Sequence, residues 1–194
     1  MNERNDTHQR ILDVATELFA TRGYKAVRIR ELADTLGIKH TALYYYVKNK
    51  EDLYVQVMQD NLAKHRAGME DAIDNANGDI RDALIAVGKW LLAQPHFNMM
   101  RMMETDLGEI APENATKLSK MAFDTLRMPV ANALSDAQAK GIVSVTNPEL
   151  AAISFVTLIQ TIGVLQANVQ PIHVSVNQIV EETVDMLLNG FLSR

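Results

Sequence analysis

Apolar residues return at intervals of three and four along almost the whole of this 194-residue chain, and strand-like alternation is nearly absent. Ile11, Val14, Ala15, Leu18 and Phe19 make the stripe of a first helix, which Asp6 or Thr7 can cap and Gly23 ends. Ile29, Leu32, Ala33 and Leu36 stripe a second helix closed by Gly37. Only Ile38 and Lys39 then precede a third, about His40 to Val47, so the two must cross steeply. Leu53, Val57, Leu62, Met69, Ala72 and Ile73 mark a long fourth helix over about Lys50 to Asn75, and the DNANGD tract, Asp74 to Asp79, is a loop. A fifth helix follows from Ile80 to Leu92 and is stopped at Pro95, a short sixth covers His96 to Leu107, and Gly108 to Pro112 returns the chain. The seventh runs from about Glu113 to Lys140, with Pro129 placed to kink its middle. Asn147 caps an eighth helix that continues in apolar and small residues to about Ala167, and a last one begins near Ser175 beyond Pro171. The pattern predicts an all-α fold of about nine helices, with a three-helix domain over 1–50 and a larger helical body over 51–194.

The stretch from Ile29 to Leu53 carries the clearest chemistry. In its short helix Ala42, Leu43 and Tyr46 or Val47 can turn inward, which leaves Lys39, His40, Thr41, Tyr44 and Tyr45 outward. Lysine, histidine and threonine reach base edges, while tyrosine hydroxyls and further lysines donate to phosphate oxygens and set register. An outward face of this kind suits a DNA groove; an ordinary surface helix with stray tyrosines is the alternative.

Arg10 to Leu53 resembles the amino-terminal DNA-binding domain of the tetracycline-repressor (TetR) family of transcriptional regulators. The resemblance rests on a first helix ending in LF, on RGY at Arg22 to Tyr24, on IREL-A at Ile29 to Ala33 and on LG at Leu36 and Gly37. LYYY at Leu43 to Tyr46 and K-x-x-L at Lys50 to Leu53 complete it. It implies a helix-turn-helix over about 28–47 in which Tyr44, Tyr46 and Lys50 hold phosphates and Arg28 sits near the DNA backbone. Lys39, His40, Thr41 and Tyr45 would then face the groove. The chain departs from the family's habits at Val27 or Arg28, where many members carry a small hydroxyl, and at Thr41, where glycine or proline is common. Ala42 and Tyr46 also stand where threonine and histidine are frequent, so the operator sequence does not carry over.

Charge is informative only locally. The chain holds 19 Lys and Arg against 24 Asp and Glu, a net of -5, which argues against a nonspecific nucleic-acid coat. Residues 22–50 contain seven basic residues (Arg22, Lys25, Arg28, Arg30, Lys39, Lys48, Lys50) and two acids (Glu31, Asp34), so this segment is +5 and the remainder -10. Such a molecule would grip phosphate through one end, with strong salt dependence. The absence of cysteine excludes disulfide and thiolate chemistry. The charged MNERNDTHQR start and the polar residues within 151–169 predict a cytoplasmic protein without a membrane span.

The last two helices predict a homodimer. Ile179, Val180, Thr183, Val184, Leu187, Leu188, Phe191 and Leu192 form a broad stripe, and pairing both helices with their two-fold mates would relieve the excess apolar surface. An intramolecular core is the alternative. In the middle of the chain Trp90, His96, Phe97, Met100, Met103, Met121 and Phe123, with Gln160 for polarity, are candidates to line a pocket for an apolar or aromatic effector. Met and aromatic residues at helical spacing also serve as plain core. The histidines have no metal-ligand spacing, and no phosphate loop, dinucleotide fingerprint or nucleophile elbow occurs, so neither metal nor cofactor is expected. These features predict a ligand-responsive repressor that binds double-stranded operator DNA. A dimer controlled by a protein partner, or lacking an effector, is the alternative; a helical-bundle enzyme would need convergent titratable groups that the sequence does not display.

Overall fold

A computed structural model describes residues 3–93, 105–168 and 175–189. Among them are eight α-helices and no strand: α1 (Glu3–Ala26), α2 (Ile29–Leu36), α3 (His40–Leu43), α4 (Lys50–Asp74), α5 (Ile80–Leu92), α6 (Pro112–Ala139), α7 (Pro148–Asn168) and α8 (Val176–Asn189). A 3-10 turn, Leu107–Glu109, precedes α6. Most of the sixth helix expected from the sequence, 96–104, lies outside the described residues, as do Phe191 and Leu192.

Local chemistry accounts for most boundaries. The α1 helix starts before the expected Asp6 or Thr7 cap, and Gly23 (φ 77, ψ 166) breaks its helical geometry ahead of a final turn over 24–26. Asn77 and Gly78 both adopt positive φ in the loop after α4, and the Asp79 carboxylate then caps α5 by accepting from the Asp82 N–H at 2.9 Å. Pro112 occupies the first turn of α6, where its missing N–H costs nothing. That helix continues through buried Pro129, although the ring withholds a donor from the Thr125 carbonyl. Asn147 caps α7 as the sequence predicts, accepting from the Leu150 N–H at 3.0 Å, and Ser175, near which the sequence predicts the last helix to begin, caps α8 by accepting from the Gln178 N–H at 3.2 Å.

The recognition helix is shorter than the expected 40–47. After Leu43 the Tyr45 and Tyr46 N–H groups reach back only three residues, to Ala42 O and Leu43 O, in tighter 3-10 fashion. Three consecutive tyrosines before Val47, all poorer helix formers than leucine or alanine, give the segment little propensity to continue as α-helix.

Two compact units emerge, and among the described residues they comprise 3–63 with 105–122, and 64–93 with 123–189. The expected three-helix domain, 1–50, falls entirely in the first, which also takes in the start of α4 and of α6. Its core is built from Ile11, Ala15 and Phe19 of α1, Leu32 and Ala33 of α2, Leu43, Val47, and Leu53, Tyr54, Val57 and Leu62 of α4, with Leu118 and Ala122 of α6. In the second unit α5 packs closely on α8: a Cβ at Gly88 would come within 2.6 Å of Val180. A bidentate Arg81–Asp185 pair (2.7 and 2.9 Å) ties the same helices at the surface, and that hydrogen bonding holds the Asp185 carboxyl below its ordinary pKa.

Candidate nucleic-acid interface

The turn between α2 and α3 is set by backbone chemistry. Gly37 is left-handed (φ 67, ψ 26), its N–H bonds to Asp34 O at 3.2 Å, and the Ile38 N–H bonds to Ala33 O at 3.1 Å. This pair of bonds satisfies the orphan carbonyls of α2 and turns the chain at once into Lys39. Leu43 and Val47 then bury completely. With these two as keel, Lys39, His40 and Thr41 are exposed, and Tyr44 and Tyr45 are 48% and 80% exposed. The His40 and Tyr44 rings meet edge to face at 5.0 Å.

The remaining candidates are placed less simply. Arg28 is exposed at the residue before α2. Tyr46 is half-buried and stacks on His8 of α1, with ring centroids 6.0 Å apart. Lys50 is already engaged: its ammonium donates to Lys25 O at 3.1 Å and lies 4.5 Å from the centre of the Tyr24 ring. Burial lowers the Lys50 pKa, opposed by the fields of Glu109 and Asp106, and burial raises that of Tyr24. Lys50 therefore secures the end of α1 as well as standing at the candidate interface.

The basic segment is partly neutralised. Arg22 pairs with Glu31, and Lys25 with Glu109 at 3.2 Å. Arg28, Arg30, Lys39 and Lys48 are exposed and form no ion pair among the described residues. Lys48, which the family motif does not single out, is exposed in the KNK run that leads into α4. There Asn49 Oδ1 accepts from the Asp52 N–H at 2.8 Å and Asp52 Oδ2 accepts from the Lys48 N–H at 2.7 Å. This reciprocal cap fixes the backbone of Lys48 and Asn49.

A buried carboxylate underpins the same unit. Asp106, 6% exposed, accepts from the Tyr24 N–H at 3.0 Å and from the Tyr54 hydroxyl at 3.2 Å. The helix break at Gly23 directs the Tyr24 N–H to Asp106 instead of back along α1. Tyr24, Tyr54 and Phe19 form an aromatic cluster around it. Nearby, Glu51 Oε1 accepts from the Ala111 N–H and Asn114 Nδ2 at 2.9 and 2.6 Å.

Of the expected effector-lining residues, His96, Phe97, Met100 and Met103 lie outside the described residues. Met121 packs against the first unit's core. Trp90, Phe123 and Gln160 belong to the second unit. Trp90 lies across Gly68, whose hydrogen faces the indole where a Cβ would come within 2.1 Å, and meets buried His65 edge to face at 5.1 Å. Phe123 is 47% exposed, with the Arg127 guanidinium 4.8 Å from its ring centre, so it faces solvent in the protomer and not an enclosed pocket. Gln160 is half-buried.

Comparison with known families accounts for both ends of the chain. Residues 11–57 match the model of bacterial regulatory proteins of the tetR family, and residues 82–191, more than half of the chain, match the C-terminal domain of AefR-like transcriptional repressors. The chain belongs to the tetR family. It is thus a DNA-binding transcriptional regulator and not an enzyme. Among curated tetR-family relatives, the fatty acid metabolism regulator protein of Bacillus subtilis is 26% identical over 101 residues, 52% of this chain and 48% of that protein. The HTH-type transcriptional repressor KstR2 of Mycolicibacterium smegmatis is 40% identical over 52 residues, 27% of this chain and 25% of that one. The chain thus aligns with about half or less of these relatives' length. In fold it is similar to a tetR-family protein of Mesorhizobium loti (TM-score 0.79, 16% identity, 97% and 98% of the two chains). It is also similar to the fatty acid degradation regulator FadR of Bacillus halodurans (TM-score 0.73, 17% identity, 96% and 97%). No helix among the described residues is long and apolar enough to cross a membrane.

Proposed function

We propose that this regulator is a homodimeric repressor that reads a two-fold operator with the segment 39–50 and is released by a small apolar effector of the fatty-acid class. The observation that carries the DNA half of this reading is the exposure pattern: Leu43 and Val47 bury while Lys39, His40, Thr41, Tyr44 and Tyr45 stay open beside Arg28, Arg30 and Lys48, three more cations that like Lys39 form no ion pair among the described residues. Lys39, His40, Thr41 and Tyr45 would face bases. Arg28, Tyr44, Tyr46, Lys48 and Lys50 would hold the backbone, with half-sites about one helical turn (~34 Å) or a multiple apart. The effector half draws on the roles named for the Bacillus relatives, which concern fatty acid metabolism and degradation. An effector favouring a state with misaligned recognition segments lowers operator affinity by its differential affinity for the two states.

The test is selection of duplexes from a random pool by the full chain, followed by anisotropy titrations on a selected and a scrambled duplex. Tyr44→Ala and Lys48→Ala should weaken both duplexes to a similar degree, with the Lys48 change reducing the salt slope by about 0.9. Lys39→Ala and Thr41→Ala should change the preferred bases, each costing about 1–3 kcal/mol on the selected duplex. Loss of discrimination to the same extent from all four would overturn the division of roles. A fatty acid series that never displaces the protein from the selected duplex would overturn the effector half.

A further inference from the structure

Four helical residues and a 3-10 continuation cannot hold themselves rigid, so the recognition segment depends on lateral support. Leu43 and Val47 hold it from below. His8, on α1, holds it from the side, and no role described above uses that residue. Its ring lies nearly parallel to that of Tyr46, at an interplanar angle of 12° and 6.0 Å between centroids, within the range of offset stacking. Its Nε2 is 2.8 Å from Gln56 Oε1.

The amide of Gln56 fixes the direction of that bond. Its Nε2 donates to Asp52 Oδ2 at 3.1 Å and to the Tyr46 carbonyl at 3.4 Å, both acceptors, so Oε1 is the end that faces His8 and can only accept. His8 Nε2 must then carry a hydrogen. Asp52 Oδ2 in turn accepts from the Lys48 N–H. A continuous path therefore runs from His8 through Gln56 and Asp52 to the backbone of Lys48, with a branch to the Tyr46 carbonyl and a ring contact on the Tyr46 side chain.

We propose that His8 is a positioning residue for DNA recognition: by stacking on Tyr46 and anchoring Gln56, whose amide holds the Tyr46 carbonyl, it aims Tyr46 at the phosphate backbone without touching DNA itself. This rests on the reading that Tyr46 contacts phosphate. The imidazole supplies a flat platform and a donor at one position, a combination that alanine, phenylalanine or glutamine alone does not reproduce.

The decisive experiment is a double-mutant cycle on the full chain, with a duplex selected from a random pool as probe. Tyr46→Ala and His8→Ala should each weaken binding several-fold, and the double variant should bind no worse than Tyr46→Ala alone, because His8 acts through Tyr46. His8→Phe, which keeps the platform but not the donor, should recover only part of the loss. The urea midpoint of His8→Ala should match that of wild type, a readout that separates aiming from bulk stability. In wild type, nitrogen chemical shifts should report His8 hydrogenated at Nε2. Losses that multiply in the double variant, unchanged affinity in His8→Ala beside a weakened Tyr46→Ala, or a neutral His8 protonated at Nδ1 alone would each overturn the proposal. If Tyr46→Ala binds like wild type, the phosphate reading of Tyr46 has failed instead, and the positioning role falls with it.

Discussion

His65 shows what a single side chain can reveal about the second unit. It is 6% exposed, and burial lowers its pKa from 6.5 to about 4. The unfolded chain therefore takes up a proton near pH 6.5 that the folded chain refuses until about pH 4. Stability from this source is undiminished above the unfolded pKa, falls as pH drops through that window, and levels off below it, a total of about 3 kcal/mol. Urea unfolding of wild type and His65→Gln between pH 7 and pH 4 should give a smaller acid loss in the variant; parallel profiles would remove His65 as the cause. In the sequence His65 was one of five scattered histidines without ligand spacing. Its burial depends on Trp90 crossing the bare face of Gly68, which residues 22 and more positions apart decide and no local pattern reveals. Gly37, by contrast, was readable from sequence because a helix stop is a local matter, fixed by Ala33, Asp34 and Ile38.

At the scale of elements, the helix pair and its caps were legible for the same reason. Asn147 was readable as a cap of the helix that follows it directly, whereas Asp79, expected only as part of a loop, and Ser175, expected only near a helix start, proved to cap theirs as well. The length of α3 was misjudged because helical spacing alone ignores the poor propensity of the tyrosine run. The segment 105–114 was invisible as a support, since it meets Tyr24 some 82 residues away in the chain. That support makes a firm prediction. Asp106→Ala removes the acceptor of the Tyr24 N–H and the carboxylate that the buried Tyr54 hydroxyl donates to, and should cost about 1–3 kcal/mol in urea unfolding. Tyr54→Phe removes one donor and leaves the carboxylate its other bond, so it should cost about 1 kcal/mol. A neutral Asp106→Ala would mean that water replaces both bonds and that the carboxylate does not hold α1 and α4 together. Of the effector candidates, only the spread of Met and aromatic residues was visible in the sequence; that Met121 and Phe123 fall in different units could not be read from their adjacency.

At the scale of the molecule, the unresolved demand is made by α7. Between Leu150 and Asn168 this helix carries no charged residue. Ala152, Phe155, Val156 and Ile159 bury within the protomer, but Leu150 is 60% exposed, Thr157 and Thr161 are exposed, and Ile153, Ser154 and Leu158 are only half-buried. On α8 Val176 and Leu187 are 44% and 36% exposed. A solvated face would normally carry charge, as Lys39, Lys48 and Arg28 do in the first unit; an uncharged face on the penultimate helix instead fits a two-fold mate, the arrangement proposed for the homodimer. Thr157 is the informative position, because it is exposed in the protomer and its change leaves the core intact. Thr157→Glu places a carboxylate against its own symmetry mate in an interface between identical faces, where like charges repel and lose water together. Sedimentation at micromolar concentration should show dimer for wild type and a shift to monomer for Thr157→Glu, with helical content kept. Affinity for a two-half-site duplex should fall at least ten-fold in parallel, since each recognition segment then binds alone. A variant that remains dimeric and binds as wild type would place the two-fold axis elsewhere and leave the bare face of α7 to another partner.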